Sequence, residues 1–157
     1  MMNGKLVAYA LAASAAIWSG AAVCAEQFGT PDEGKAMLER AVAALKADET
    51  AALKAFNDEK NKEFRDRDLY VFCFNVNDGK FTAYQSAVLL GTDIRELKLP
   101  PKDPIGQRAY DAVAKAPEGS FVTVEYDFPK PGTKKNFPKQ SLQTRIGNQA
   151  CGVSYFK

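Results

Sequence analysis

Histidine is missing from all 157 residues. That absence excludes Ser-His-Asp and Cys-His nucleophile systems, imidazole general bases and His-ligated metal or haem sites together. Cysteine is scarce, at three residues, and shows neither a CxxCH run nor metal-ligand spacing. No glycine-rich phosphate loop is present. An excess of one charge is also lacking, since 21 Lys and Arg face 19 Asp and Glu, so nothing in the balance demands nucleic acid. Lys130, Lys134, Lys135 and Lys139 do crowd one loop, which reads as a solvated hairpin tip rather than a nucleic-acid surface. Asp66 and Asp68 share one charged turn, without the separation a glycosidase pair needs, and no other constellation asks for an enzyme. What remains is 46% apolar, 25% charged and 11% aromatic, which suits one globular domain with one core. It does not suit a disordered, collagen-like or multi-span membrane chain.

Residues 1–25 read as an export signal. Lys5 supplies the positive n-region, residues 6–18 are almost wholly apolar, and Val23-Cys24-Ala25 places a cleavage site before Glu26. Lipid attachment at Cys24 is opposed by the bulk of Val23 and by Ala21 where Leu is preferred. An uncleaved anchor reaches spanning length over residues 6–23 only by counting many Ala, Ser and Gly. With no twin arginine, the general secretion route is expected, giving a periplasmic or secreted mature domain of residues 26–157. Cleavage after Ala25 leaves Cys73 and Cys151, each in a strand-like run. They either form a disulfide, which an oxidising compartment favours, or stand as two buried thiols.

Thr30-Pro31-Asp32-Glu33 is a helix start with a capping box and proline at the first helical position. Met37, Leu38, Ala41, Val42 and Leu45 then recur at helical spacing, and Asp48 caps a second stretch through Ala51, Leu53 and Phe56. Residues 57–67 are charged and turn-rich. From there the period falls to two: residues 69–76 read as a strand, Asn77-Asp78-Gly79 as a hairpin turn, and residues 80–85 as the return. Residues 89–101 read as loop with one short helical turn, and Asp103-Pro104 opens a helix through Ile105, Ala109, Ala112 and Val113. Val122, Val124, Tyr126 and Phe128 share one face of the next strand, residues 121–128. The prolines of residues 129–138 exclude a central strand there, and residues 139–146 and 149–156 form a last hairpin about Gly147-Asn148. The expected fold is α+β: a five-stranded antiparallel sheet with a long N-terminal helix packed on one face, closing a single core.

Several segments together carry a resemblance: Arg67-Asp68-Leu69-Tyr70-Val71-Phe72, Asp78-Gly79-Lys80-Phe81, Leu90-Gly91-Thr92-Asp93, Phe128-Pro129-Lys130-Pro131-Gly132, Pro138-Lys139-x-Ser141 and Gly152-Val153-x-Tyr155. In this order and spacing, over residues 34–157, the chain resembles the single Cache domain family. The resemblance implies a PAS-like sheet with a long N-terminal helix, found in the extracytoplasmic sensor parts of chemoreceptors and sensor kinases. It also implies that small organic acids, amino acids or related metabolites bind between the sheet and its covering loops. Most members are fused to membrane helices and a cytoplasmic module, whereas this chain stops at Lys157, so a free-standing exported sensor domain is expected. Many members carry His-Pro-Asn after the first hairpin. Here Tyr84-Gln85-Ser86 stands in that place, so ligand identity does not carry over.

A small anionic ligand requires a cation, directional hydroxyl or amide donors and apolar walls. Arg67 and Lys139 are the cations matching family segments, and Tyr70, Tyr84 and Tyr126 offer phenolic donors. Tyr70, Phe72 and Phe74 share a strand face that suits either core or pocket, while Tyr126 and Phe128 flank the proline-rich loop. Arg67 also fits a solvated strand-end charge, and Asp93 fits a role in organising the loop after Gly91. The expected ligand is a small carboxylate or amino acid, with no cofactor or metal. The expected partner is a membrane sensor kinase or chemoreceptor, with a homodimer through the N-terminal helix. The alternative is a ligand-free protein-interaction or accessory module whose pocket is filled by its own side chains. Tyr84-Gln85-Ser86 and the apolar Leu142, where many relatives carry an aromatic hydroxyl, lean that way.

Overall fold

The computed structural model describes residues 27–157; the expected export signal and Cys24 lie outside the described residues. Helix α1 (Pro31–Ala47) begins at the expected capping box. The Thr30 hydroxyl accepts from the Glu33 N–H at 3.2 Å, and the Glu33 carboxylate accepts from the Thr30 N–H at 2.7 Å. Helix α2 (Glu49–Phe56) follows, its first turn held by the Asp48 carboxylate, which accepts from the Ala51 N–H at 2.9 Å. Then come β1 (Arg65–Asp66), β2 (Leu69–Asn75), β3 (Phe81–Ala83), α3 (Ile105–Ala114), β4 (Val122–Pro129), β5 (Asn136–Ile146) and β6 (Gln149–Phe156). The strands are antiparallel in the order β1-β2-β6-β5-β4, and β3 pairs with the far end of β2.

The five expected strands are present, with the two-residue β1 added. The single core is not. Strand β2 is large and apolar on both faces, so both must be covered. Leu69, Val71 and Cys73 pack with Met37, Leu38, Leu45 and Phe56 beneath α1 and α2. Phe72 and Phe74 turn the other way and pack with Phe81, Ile94, Ile105 and Val113 beneath α3. Chain length suggested one core, but alternation of bulky side chains along a central strand builds two.

Prolines bound the β4–β5 loop less widely than expected. Pro129 ends β4, and Pro138 lies within β5 opposite Asp127. Pro138 precedes Lys139, the first β5 residue paired with β6, so its missing N–H removes no bond between those strands, while its carbonyl accepts from the Lys157 N–H at 3.0 Å. Asp103 does not cap α3; its carboxylate takes two hydrogen bonds from Arg108, at 3.0 and 2.7 Å. Cys73 and Cys151 are direct cross-strand partners on β2 and β6 and form a disulfide, with S–S 2.02 Å. Among the described residues no helix is long and apolar enough to cross a membrane.

Candidate functional site: a cleft on the α3 side of the sheet

Strand register lays out the sheet face that looks toward α3. One row runs Tyr126, Lys139, Phe156; the next Val124, Ser141, Ser154; the next Val122, Gln143, Gly152, Phe72. Helix α3 and the short 3₁₀ turn Ile94–Glu96 cover the rows further along. The turn and helix approach closely at Gly106, where a Cβ would stand 1.7 Å from the Ile94 carbonyl oxygen. Over the first row the cover stops, and a cleft of about 550 Å³ opens, lined by Lys139, Tyr70, Tyr84 and Tyr126 together with Phe28, Leu97, Leu99 and Phe128. Behind the three tyrosines lies a recess of about 60 Å³, floored by Ser141, Gln143 and Ser154.

Lys139 is 7% exposed and makes no ion pair among the described residues. Its ammonium instead rests 4.4 Å from the Phe156 ring centre and 5.5 Å from that of Phe128. Burial pushes this ammonium below the ordinary lysine value, and the Asp68 charge at the cleft wall partly opposes that shift. The Tyr70 and Tyr84 hydroxyls stand 3.4 Å apart. Burial, and secondarily the neighbouring Tyr84, holds the Tyr70 phenol well above its usual value. Burial likewise pushes Tyr126 up to about 12, with Ser154 pulling the other way. Both phenols are therefore neutral donors at physiological pH. The arrangement is a desolvated cation, neutral donors around it and apolar walls, which is what capture of a small anion requires.

No protein-family model matches the sequence, and no curated protein matches it. Solved structures do. The periplasmic sensor domain of a chemotaxis protein superposes with a TM-score of 0.54 at 21% identity, over 76% of this chain and 85% of that one. A Cache chemosensory domain, solved to show the structural basis of its carboxylic acid recognition, gives 0.53 at 17% identity, over 76% and 83%. This chain has the Cache fold. A methyl-accepting chemotaxis protein from Vibrio parahaemolyticus gives 0.59 at 20% identity, over 80% and 86%.

Within this Cache fold, six of the seven residues expected at the site border the cleft: Arg67, Tyr70, Tyr84, Tyr126, Phe128 and Lys139. Phe72 borders only the inner recess. Arg67 differs from expectation in its role. Its guanidinium holds Glu33 at 2.6 Å and Asp66 at 2.8 Å and donates to the Phe28 carbonyl at 3.2 Å, so it ties the start of α1 to the β1–β2 turn. It does so from the left-handed region, at φ 53°. Of the two cations lining the cleft, only Lys139 is unpaired among the described residues. Asp93 accepts from the Arg95 backbone N–H at 2.9 Å and pairs with the Arg95 side chain away from the cleft, organising its loop. Leu142 faces α1, not the cleft, and so fills nothing there.

Asp68, Ser141, Gln143, Ser154, Leu97, Leu99 and Ile105 also line the site, and sequence reasoning did not single them out. One signal was available for two of them, Ser141 and Gln143. Lys139, Ser141, Gln143 and Arg145 recur at every second position of β5, a polar file whose neighbours on the same face of β4 are Tyr126, Val124 and Val122. A buried polar file of that kind needs a partner.

Proposed function

We propose that this domain is an extracytoplasmic sensor that binds a small organic acid or amino acid through its carboxylate and reports occupancy to a partner protein. The observation that carries this is Lys139: a cation almost removed from water, unpaired among the described residues, at the wall of an open apolar cleft. Such a group is costly in the empty protein and favours an entering carboxylate, which restores a counter-charge in a low-dielectric site. Tyr70, Tyr84 and Tyr126 supply neutral donors beside it, and Phe128 and Leu99 supply walls that exclude water. Asp68, across the cleft, suits the ammonium group of an amino acid. The solved neighbour described as recognising carboxylic acids has the same fold and supports this ligand class. The disulfide accords with an oxidising compartment and hence with export of a mature domain of residues 26–157. The proposed partner is a membrane chemoreceptor or sensor kinase, with a second copy paired through α1 as the other candidate. No catalytic step is assigned.

The test is a thermal-shift screen of the purified protein against small carboxylates, amino acids, amines and purines. A ligand at 100 times its dissociation constant adds about 2.7 kcal/mol of stability. A concentration-dependent hit that Lys139→Met abolishes supports the assignment. A folded protein that responds to nothing in the panel sinks it and leaves the ligand-free accessory module, for which a pull-down is the next experiment.

A further inference from the structure

Gln143 is fully buried, and neither its amide nitrogen nor its amide oxygen has a hydrogen-bond partner. The Ser141 hydroxyl beside it is buried and unpartnered too. Thr144 Oγ1 and Arg145 Nε are in the same condition on the same strand, but neither borders the recess. An orphaned buried amide is among the more costly features a folded protein can keep, since each unmet group has lost its water without a replacement. A leucine in its place would cost nothing of the kind. The site is moreover built to admit this side chain: the neighbouring position on β6 is Gly152, where a Cβ would stand 2.7 Å from Gln143 Cγ and 2.6 Å from the Phe72 ring.

Resting on the carboxylate assignment above, we infer that Gln143 is a specificity-determining residue. With Ser141 and Ser154 it reads a neutral, hydrogen-bonding group at the far end of the ligand, a hydroxyl or carboxamide. Three observations converge on this. The amide has both its N–H donors and its carbonyl acceptor unengaged, which complements a group that both accepts and donates. No charged side chain lines the recess, so a second carboxylate or an ammonium entering it would lose hydration without compensation. A methyl group entering it would leave the amide as orphaned as before. The recess and the outer cleft share Tyr70, Tyr84 and Tyr126 as walls, so the two adjoin and the far end of a molecule held at Lys139 would enter the recess between those side chains. Lys139 and Gln143 stand four residues apart on β5, about 13 Å of strand, so the matching molecule is longer than acetate.

Calorimetric titration of the purified protein with straight-chain acids of three to five carbons decides the matter. Each length is tested in four forms: methyl-ended, ω-hydroxy, ω-carboxamide and dicarboxylate. At the length that fits, the hydroxy or carboxamide acid should bind about tenfold or more tighter than its methyl-ended and dicarboxylate counterparts. Gln143→Leu should flatten that ranking while leaving the unfolding temperature unchanged or higher, a pair of effects that a merely structural glutamine would not produce. Equal or tighter binding of the methyl-ended or dicarboxylate form overturns the inference and leaves the carboxylate assignment standing. So does a Gln143→Leu protein with the wild-type ranking. Failure of every acid to bind a folded protein overturns the inference, while the thermal-shift panel, which includes amino acids, decides the carboxylate assignment separately. If neither Gln143→Leu nor Gln143→Met folds, the wild-type ranking alone decides.

Discussion

At Lys139 the stability of the empty domain and the capture of a ligand oppose each other. Burial holds its folded pKa below the ordinary lysine value of 10.5, so between the two the unfolded chain holds the extra proton. Stability therefore rises with pH through that window and is lowest once pH falls below the folded value. Ligand affinity runs the opposite way, weakening as the ammonium is lost. Lys139→Met should accordingly raise the melting temperature at neutral pH while abolishing binding, checked by calorimetry and differential scanning on one preparation. Glu33 behaves inversely. The hydrogen bond from Arg67, ahead of that from the Thr30 backbone, lowers its pKa from 4.5 to about 2. The contribution of this exposed pair is present above pH 4.5 and lost as pH falls toward 2. Glu33→Gln should therefore flatten the acid limb of the stability curve between those values, read by circular dichroism. Lys139 was legible in the sequence because it falls in the Pro138-Lys139-x-Ser141 segment that carries the Cache resemblance. The pairing of Arg67 was not, because Glu33 lies 34 residues away and local spacing carries no trace of it.

Among the elements, β2 and β6 carry the structure. They pair over five registered positions, and the Cys73–Cys151 bridge joins them across 78 residues of chain. Closing a loop of that length removes about 4.5 kcal/mol of unfolded-state entropy. The Cys73→Ala, Cys151→Ala double variant should lose about 2–5 kcal/mol in urea unfolding. It should retain the cleft residues in place, because the cysteines lie on the α1 face of the sheet. The capping box of α1, the Asp48 cap of α2, the Asn77-Asp78-Gly79 turn and alternation in β4 made most elements readable in advance. The two-residue β1 was not, since a ladder of two pairs to Tyr70 and Leu69 has no periodicity to detect. Nor was the entry of Pro138 into β5, which depends on where β6 stops beside it.

At the scale of the whole molecule, α1 turns its apolar stripe onto the sheet and presents Lys35, Glu39, Arg40 and Lys46 outward. Self-association through that face would be held by charge. Raising salt from 50 mM to about 500 mM, which shortens screening from roughly 14 Å to 4 Å, should dissolve such a pair in sedimentation experiments. Association that persists or strengthens would place the contact elsewhere. Two faces covered by unlike layers also explain how the fold leaves one polar row open: α1 and α2 seal one side, while α3 covers only part of the other.

The strap that leads into α1 is a wall of the cleft. Phe28 stacks edge-on against Phe156 at 5.6 Å, sits 4.9 Å from the Lys130 ammonium and gives its carbonyl to Arg67. Phe156 in turn is the aromatic face nearest Lys139. Tension and chemistry thus meet on one side chain. On the proposed function, a load drawn through the residues ahead of Gln27 would part Phe28 from Phe156 and loosen the grip on a bound acid, and by reciprocity a bound acid would stiffen the strap against that load. Single-molecule pulling from residue 27, with and without a bound acid from the screen, would read this directly as a rise in the force at which the strap peels away. An unchanged force would uncouple the two.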